Sequence, residues 1–187
     1  MKPFGALIVM LLIGPGVGCA LSTGPKDDTG FDAAKDLQAL GGCYRNNGEG
    51  DDQRYLSAVI WPREGLDHPR IKAIHVAFEK PQSLRITAVG TGEAIKESIF
   101  VEGKDFHLAS GRIEVKSDAI TSFAYPAGNV FIGVGNESRV LGLDKHGNAR
   151  MQESASFAGT AFLVIPVAGH VRDAFRFSRA PALCEES

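Results

Sequence analysis

The stretch "FHLASGRIEV", Phe106 to Val115, is where the fold becomes readable. Ser110-Gly111 stands between two runs that alternate apolar and polar residues. That arrangement predicts a tight hairpin, because two residues at positive φ match the twist of the flanking strands and glycine takes such a φ without strain. Outward along the chain, "VLGLDKHGNARM" repeats the pattern, with Asp144 to Asn148 as the turn and a glycine inside it. "IKAIHVAFE", Ile71 to Glu79, places Ile74, Val76 and Phe78 on one face of a strand and Ala73, His75 and Ala77 on the other. "YLSAVIW" (Tyr55 to Trp61), "LRITAVG", "AIKESIFVEG", "NVFIGVG", "RVLGLD", "ARMQESASF" and "TAFLVIPV" also read as strands.

Strand starts recur about every 8 to 15 residues, and no helical pattern long enough for a crossover separates them. The expected architecture is therefore mainly β: one antiparallel meander forming a barrel or a sandwich. One short helix is expected before it. In "TGFDAAKDLQALGG", Thr29 suits an N-cap, Phe31, Ala34, Leu37 and Leu40 share one side, and Gly41-Gly42 stop the helix.

Ahead of that helix the chain has the grammar of an export signal. Met1 and Lys2 make a positive start, Phe4 to Ile13 are apolar apart from Gly5, and Gly14-Pro15-Gly16-Val17-Gly18 is small and flexible. Gly14, Pro15, Gly16 and Gly18 cut the apolar run well below the ~20 residues of a membrane span. Two processing routes fit, and Cys19 separates them. Gly16-Val17-Gly18-Cys19 resembles the junction of bacterial lipoprotein signals, in which the cysteine after a small residue takes a diacylglyceryl group. An ordinary signal peptidase could instead cut after Ala20, since Gly18 and Ala20 satisfy the small-x-small rule.

The resemblance implies a signal peptide over 1–18, a lipidated Cys19, a flexible tether over 19–30 rich in Ser, Gly, Pro and Asp, and a folded domain over 31–187. Stable attachment needs more than one acyl chain, at ~0.8 kcal/mol per buried methylene, and a lipoprotein cysteine carries two or three. It also implies that Ala20, in place of an aspartate, directs the protein to the outer membrane, facing the periplasm. The alternative processing route makes it a secreted or periplasmic soluble protein.

With Cys19 lipidated or removed, Cys43 and Cys184 remain, and an even count in an exported chain predicts a disulfide between them. That bond would bring the two ends of the domain together, which favours the barrel. Gly42-Cys43-Tyr44 after a short helix also resembles the opening of the lipocalins, where Gly-x-Trp starts the first strand and a late arginine packs across the ring. The resemblance implies that Arg172 or Arg176 plays that part against Tyr44.

Charge excludes one class of partner. The chain of 187 residues carries 20 Lys+Arg against 22 Asp+Glu, with the basic residues scattered among acids, so nucleic acid is not an expected partner. His68, His75, His107, His146 and His170 fall in no metal-ligand spacing. "RNNGEGDD" gathers Glu49, Asp51 and Asp52 but departs from calcium-loop spacing and reads as a solvated turn. No Gly-x-Ser-x-Gly elbow occurs, and "GVGNES" and "GTGE" open no helix that could hold phosphates. No cofactor is implied.

The sequence thus points to a cell-envelope lipoprotein held to the membrane by its anchor, with a non-catalytic domain that binds an apolar small molecule or an envelope protein. Two alternatives stay open: a structural or assembly factor of the envelope, and a hydrolase without a recognisable motif. A binding module predicts an internal pocket lined by residues such as Ile74, Val76, Phe78, Ile113 and Val115. A structural factor predicts a filled interior and an exposed apolar patch. A hydrolase predicts a cleft of convergent polar groups.

Overall fold

In the computed structural model, residues 19–32, 37–49, 54–115, 131–161 and 165–185 are described, and their strands sort into two sheets. The order along the chain is β1 (Cys19–Thr23), a 3-10 turn (Leu37–Leu40), β2 (Gly42–Arg45), helix α1 (Leu56–Ile60), a second 3-10 turn (His68–Arg70), β3 (Ala73–Lys80), β4 (Ser83–Val89) and β5 (Ala94–Val101). It continues with β6 (Phe106–Ala109), β7 (Arg112–Val115), β8 (Phe131–Leu143), β9 (Ala149–Ala161), β10 (Ile165–Phe177) and helix α2 (Ala182–Glu185). The smaller sheet is antiparallel in the order β2-β3-β4-β5. The larger runs β1-β10-β9-β8-β7-β6 and is mixed, because β1 lies parallel to β10.

The expected single antiparallel barrel is corrected by this topology: neither sheet closes. At one corner the sheets touch through bridges from Tyr44 to Arg179 and from Glu49 to Arg176. At the opposite side the chain leaves β5 in a turn over Glu102–Asp105, where the Asp105 carboxylate accepts the Val101 N–H at 2.9 Å. That turn delivers β6 into the other sheet, so β5 and β6 share only the Glu102 to Phe106 bridge. The parallel β1 arises without a helical crossover, because nearly the whole domain intervenes between it and β10.

Both hairpins form as the sequence predicts. Ser110 and Gly111 take φ of 52° and 72° between β6 and β7, and Gly147 takes 77° in the turn between β8 and β9. "YLSAVIW", expected as a strand, is instead helix α1. Leu56 and Val59 are buried at helical spacing, and the Leu56 and Ser57 N–H groups are taken by the backbone and side-chain oxygens of Asn46, at 2.8 and 2.7 Å. Pro62 then prevents continuation. The described part of the expected N-terminal helix is a single 3-10 turn; residues 33–36 lie outside the described residues. Its anticipated apolar side is split. Leu37 and Leu40 enter the core, whereas Phe31 lies on the opposite face of the larger sheet.

One core fills the space between the sheets. Ile74, Leu84 and Ile86 come from the smaller sheet, Met151, Phe175 and Phe177 from the larger, and Leu56, Val59 and Trp61 from around α1. Strands β8, β9 and β10 are each 13 residues long, against eight or fewer in the smaller sheet. At ~3.3 Å per residue they reach about 40 Å. The core covers only half of that length. Beyond Met151 and Ala174, no β8, β9 or β10 side chain that is described is buried, so the three strands and β1 extend past the core as an arm.

Candidate functional site

The interior is the first place where a ligand could sit. An apolar cavity of about 120 Å³ remains between the sheets, lined by Tyr44, Leu56, Val76, Ile86, Phe106 and Leu141 among others. Of the residues expected to line a pocket, Val76, Ile113 and Val115 do so. Ile74 is packed in the core at 0% exposure, and Phe78, at the far end of β3, is 37% exposed. Between β5 and the β7–β8 part of the larger sheet a groove of about 870 Å³ runs alongside, with Trp61, Arg63, Phe100, Lys104, Glu137 and Arg139 on its walls. Trp61 is fixed there by its indole N–H, which donates to the Ser98 hydroxyl at 3.0 Å.

Polar side chains converge at three places, each with a structural consequence. Asn46 is 1% exposed and uses its whole amide: Oδ1 accepts from Ser57 N–H, while Nδ2 donates to the carbonyls of His68 (2.9 Å) and Ile71 (3.1 Å). Ser57 and His68 share a hydrogen bond of 2.9 Å between Oγ and Nδ1. Ser57 is 0% exposed, however, so a substrate cannot reach that hydroxyl. Ser156 and His170 form a second such pair at 2.9 Å, both exposed on the outer surface of the larger sheet.

The third place is the segment before residue 32. Residues 19–30, expected to form a flexible tether, contain strand β1, followed by a loop laid on the larger sheet. Asp28 pairs with Arg150, and the Phe31 ring lies 4.8 Å from the Arg112 guanidinium and 4.3 Å from that of Arg150. Gly142 makes room for that ring, since a Cβ there would stand 3.0 Å from it. Next to it Arg176 bonds Asp27 (3.0 Å) and Glu49 (2.6 Å), and Ser178 donates to Glu49. The Arg150 hydrogen bond holds Asp28 below the ordinary carboxylate range, and Ser178 with Arg176 does the same to Glu49. Glu49 is thus engaged in fastening two segments; residues 50–53, with Asp51 and Asp52, lie outside the described residues.

Cys43 and Cys184 are joined by a disulfide, with their Cα atoms 6.1 Å apart. The bond pins α2 against the outer side of the smaller sheet, where Leu183 packs on Ala73 and Val89. Cys19 opens β1, in register with Gly169 of β10. His75 points outward from β3 and is exposed. Among the described residues no three His, Cys, Asp or Glu side chains lie together so as to hold a metal ion, and no helix is long and apolar enough to cross a membrane.

An arginine does lie across Tyr44, but it is neither Arg172 nor Arg176. Arg172 bonds Gln152 on the arm and Arg176 holds Asp27 and Glu49, while the Arg179 guanidinium stands 5.8 Å from the Tyr44 ring. Neither Arg179 nor Asn46 carried a sequence signal, because each acts through contacts made across the fold. Compared with protein-family models, with curated proteins and with solved structures, the chain finds no match.

Proposed function

We propose that the protein is a structural or assembly factor of the cell envelope, attached to a membrane through acyl chains on Cys19. The observation that carries the reading is the filled interior. Ligand sites for small molecules enclose about 300–1,000 Å³ and are mostly apolar, whereas the apolar cavity between the sheets measures about 120 Å³ and the larger groove beside it is open to solvent and walled in part by charged side chains such as Arg63, Lys104, Glu137 and Arg139. Apolar side chains are offered outside instead: Ile95, Ile99 and Val101 of the edge strand β5 are 38%, 52% and 39% exposed. An edge strand with exposed branched side chains offers both backbone hydrogen bonds and apolar contact to a partner.

The experiment is native mass spectrometry of the protein purified from its own host, joined to photo-crosslinking from position 99 in intact cells. The reading expects an acyl mass on the N-terminal cysteine, no retained small molecule, and one defined envelope protein crosslinked from position 99 whose capture is lost when Ile95→Asp is added on the same face of β5. A stoichiometric apolar ligand that leaves on denaturation would overturn it in favour of a binding module. The cavity, with Val76, Ile113 and Val115 on its wall, would then be the place to look, since dry cavities of about 150 Å³ accept molecules as small as benzene.

A further inference from the structure

We propose that the far end of the arm is a lipid-docking surface, which seats in the interface of a bilayer up to the first charged residues of its strands. The inference goes beyond the acyl anchor at Cys19, although it shares with that reading the position of the cysteine.

Charge is distributed along the arm in two zones with a sharp limit between them. Neither Lys, Arg, Asp nor Glu occurs in Phe131–Asn136 of β8, in Ser154–Ala161 of β9, in Ile165–Val171 of β10 or in Cys19–Thr23 of β1. The register lays these segments side by side: Val134, Ala158 and Ala168 form one row, and Cys19 pairs with Gly169 in the next. One or two residues nearer the core, every long strand becomes charged. Arg139 donates to Glu137 at 2.6 Å and forms an ion pair with Glu153 at 3.0 Å, and Arg172 and Asp173 follow on β10. Three neighbouring strands, β8, β9 and β10, change character within two residues of one another in the register, which is a property of the sheet and not of any one segment, and β1 is uncharged throughout.

On the face turned away from the core, polarity falls in steps toward the end. Arg172 lies beside Ser138 and Ser154, then come Asn136, Ser156 and His170, and then Val134, Ala158 and Ala168, with the row Ile132, Thr160 and Pro166 beyond them in the register, also without charge. Val134, Ala158 and Ala168 are exposed, Val134 to 66%. Such an order matches the passage from water through headgroups toward acyl chains, where neutral polar groups are tolerated and unpaired charges are not. The backbone limits the depth. The arm is not a closed barrel, and open strand edges keep their hydrogen-bonding groups unsatisfied in hydrocarbon, so the arm rests in the interface and does not span. Cys19 stands at the same end of the backbone register, so an acyl anchor built on that residue would belong to the uncharged zone.

The test uses the protein purified from its host and mixed with phosphatidylcholine vesicles whose acyl chains are brominated. Tryptophan is introduced by Val134→Trp, by Ala158→Trp on the neighbouring strand, and by Lys145→Trp in the turn at the other end of the arm, with the parent's Trp61 signal as background. Docking expects quenching several-fold stronger at 134 and 158 than at 145. Floating protein with equal quenching at all three positions overturns the docking while leaving the acyl anchor intact. Intact mass keeps the two ideas apart. If no acyl group is found, the anchor reading fails. Docking then still stands if the protein floats with quenching at 134 and 158, and falls if it does not float. A dimer in solution that Val134→Asp converts to monomer, without quenching in vesicles, would assign the surface to a second copy of the chain and overturn the proposal.

Discussion

Arg179 lies across the ring of Tyr44, its guanidinium 5.8 Å from the centroid and its Nη2 donating to the carbonyl of Gly41. Tyr44 is 2% exposed, its hydroxyl donates to the Leu40 carbonyl at 2.9 Å, and burial pushes its acidity below that of a free phenol. The arginine therefore lids a buried aromatic and ties the chain's last turn to the start of β2. Arg179→Ala should lower stability by about 1 kcal/mol, the worth of an exposed cation–π contact with its packing. Arg179→Lys should recover only part of it, since an ammonium lacks the planar stack. Urea midpoints of the two variants, at unchanged m-value, check both statements.

The Cys43–Cys184 bond closes a loop of 141 residues' separation, and its effect should appear mainly in the unfolded chain. The double variant Cys43→Ser/Cys184→Ser is expected to lose about 2–5 kcal/mol of stability. Only α2 and Leu183 should loosen in the native state, because their described apolar contacts are with Cys43, Ala73 and Val89. Hydrogen exchange should show the amides at positions 183 and 184 quickened by local opening, while those of Ile74 and Ile86 quicken only in proportion to the lost global stability.

Asp28 is held in its charged form by Arg150, so folding and acidity are linked there. A carboxyl group whose acidity constant is depressed on folding contributes stability above about pH 4, its unfolded value, and loses it as the pH falls through the folded value. Wild type should therefore exceed Asp28→Asn in urea midpoint at pH 6, and the gap should narrow steadily below pH 4. A gap that stays constant down to pH 2 would separate the Asp28–Arg150 contact from the acid response.

What could be read from the sequence follows the range of the forces involved. Turn chemistry at Ser110-Gly111 and Gly147 is local, and both hairpins form. The faces of β3 are also local, and Ile74 and His75 point as their alternation predicts. The helix at Leu56–Ile60 depends on Asn46 supplying two acceptors from outside the segment, so its β-branched content misled. Barrel closure depends on where the Glu102–Asp105 turn sends the chain, and Arg179 on a contact between opposite ends of the sequence. The disulfide was legible because, with Cys19 set aside, the cysteine count leaves one pair, and a count requires no geometry.

Asn46 offers a test with the opposite dependence on acidity. Its Oδ1 accepts the Ser57 N–H while its Nδ2 faces the carbonyl oxygens of His68 and Ile71, so the orientation of the amide is fixed by its partners. Asn46→Asp keeps the first contact and aims a second oxygen at two carbonyls. When ionised, that group places a buried charge against acceptors; when protonated, it can again donate to one of them. Its acidity constant should therefore rise on folding. The sign then follows: the variant is nearest to wild type below about pH 4, where the carboxyl is protonated in both states, and loses stability as the pH rises toward the folded value. Near neutral pH the loss should reach about 3 kcal/mol, the usual cost of leaving buried hydrogen-bonding groups unpaired beside a charge. Asn46→Ala supplies the contrast, since it should be destabilised at every pH with no such slope. Urea midpoints for the two variants between pH 3 and 8 decide it, and a flat profile for Asn46→Asp would mean that water reaches the buried amide.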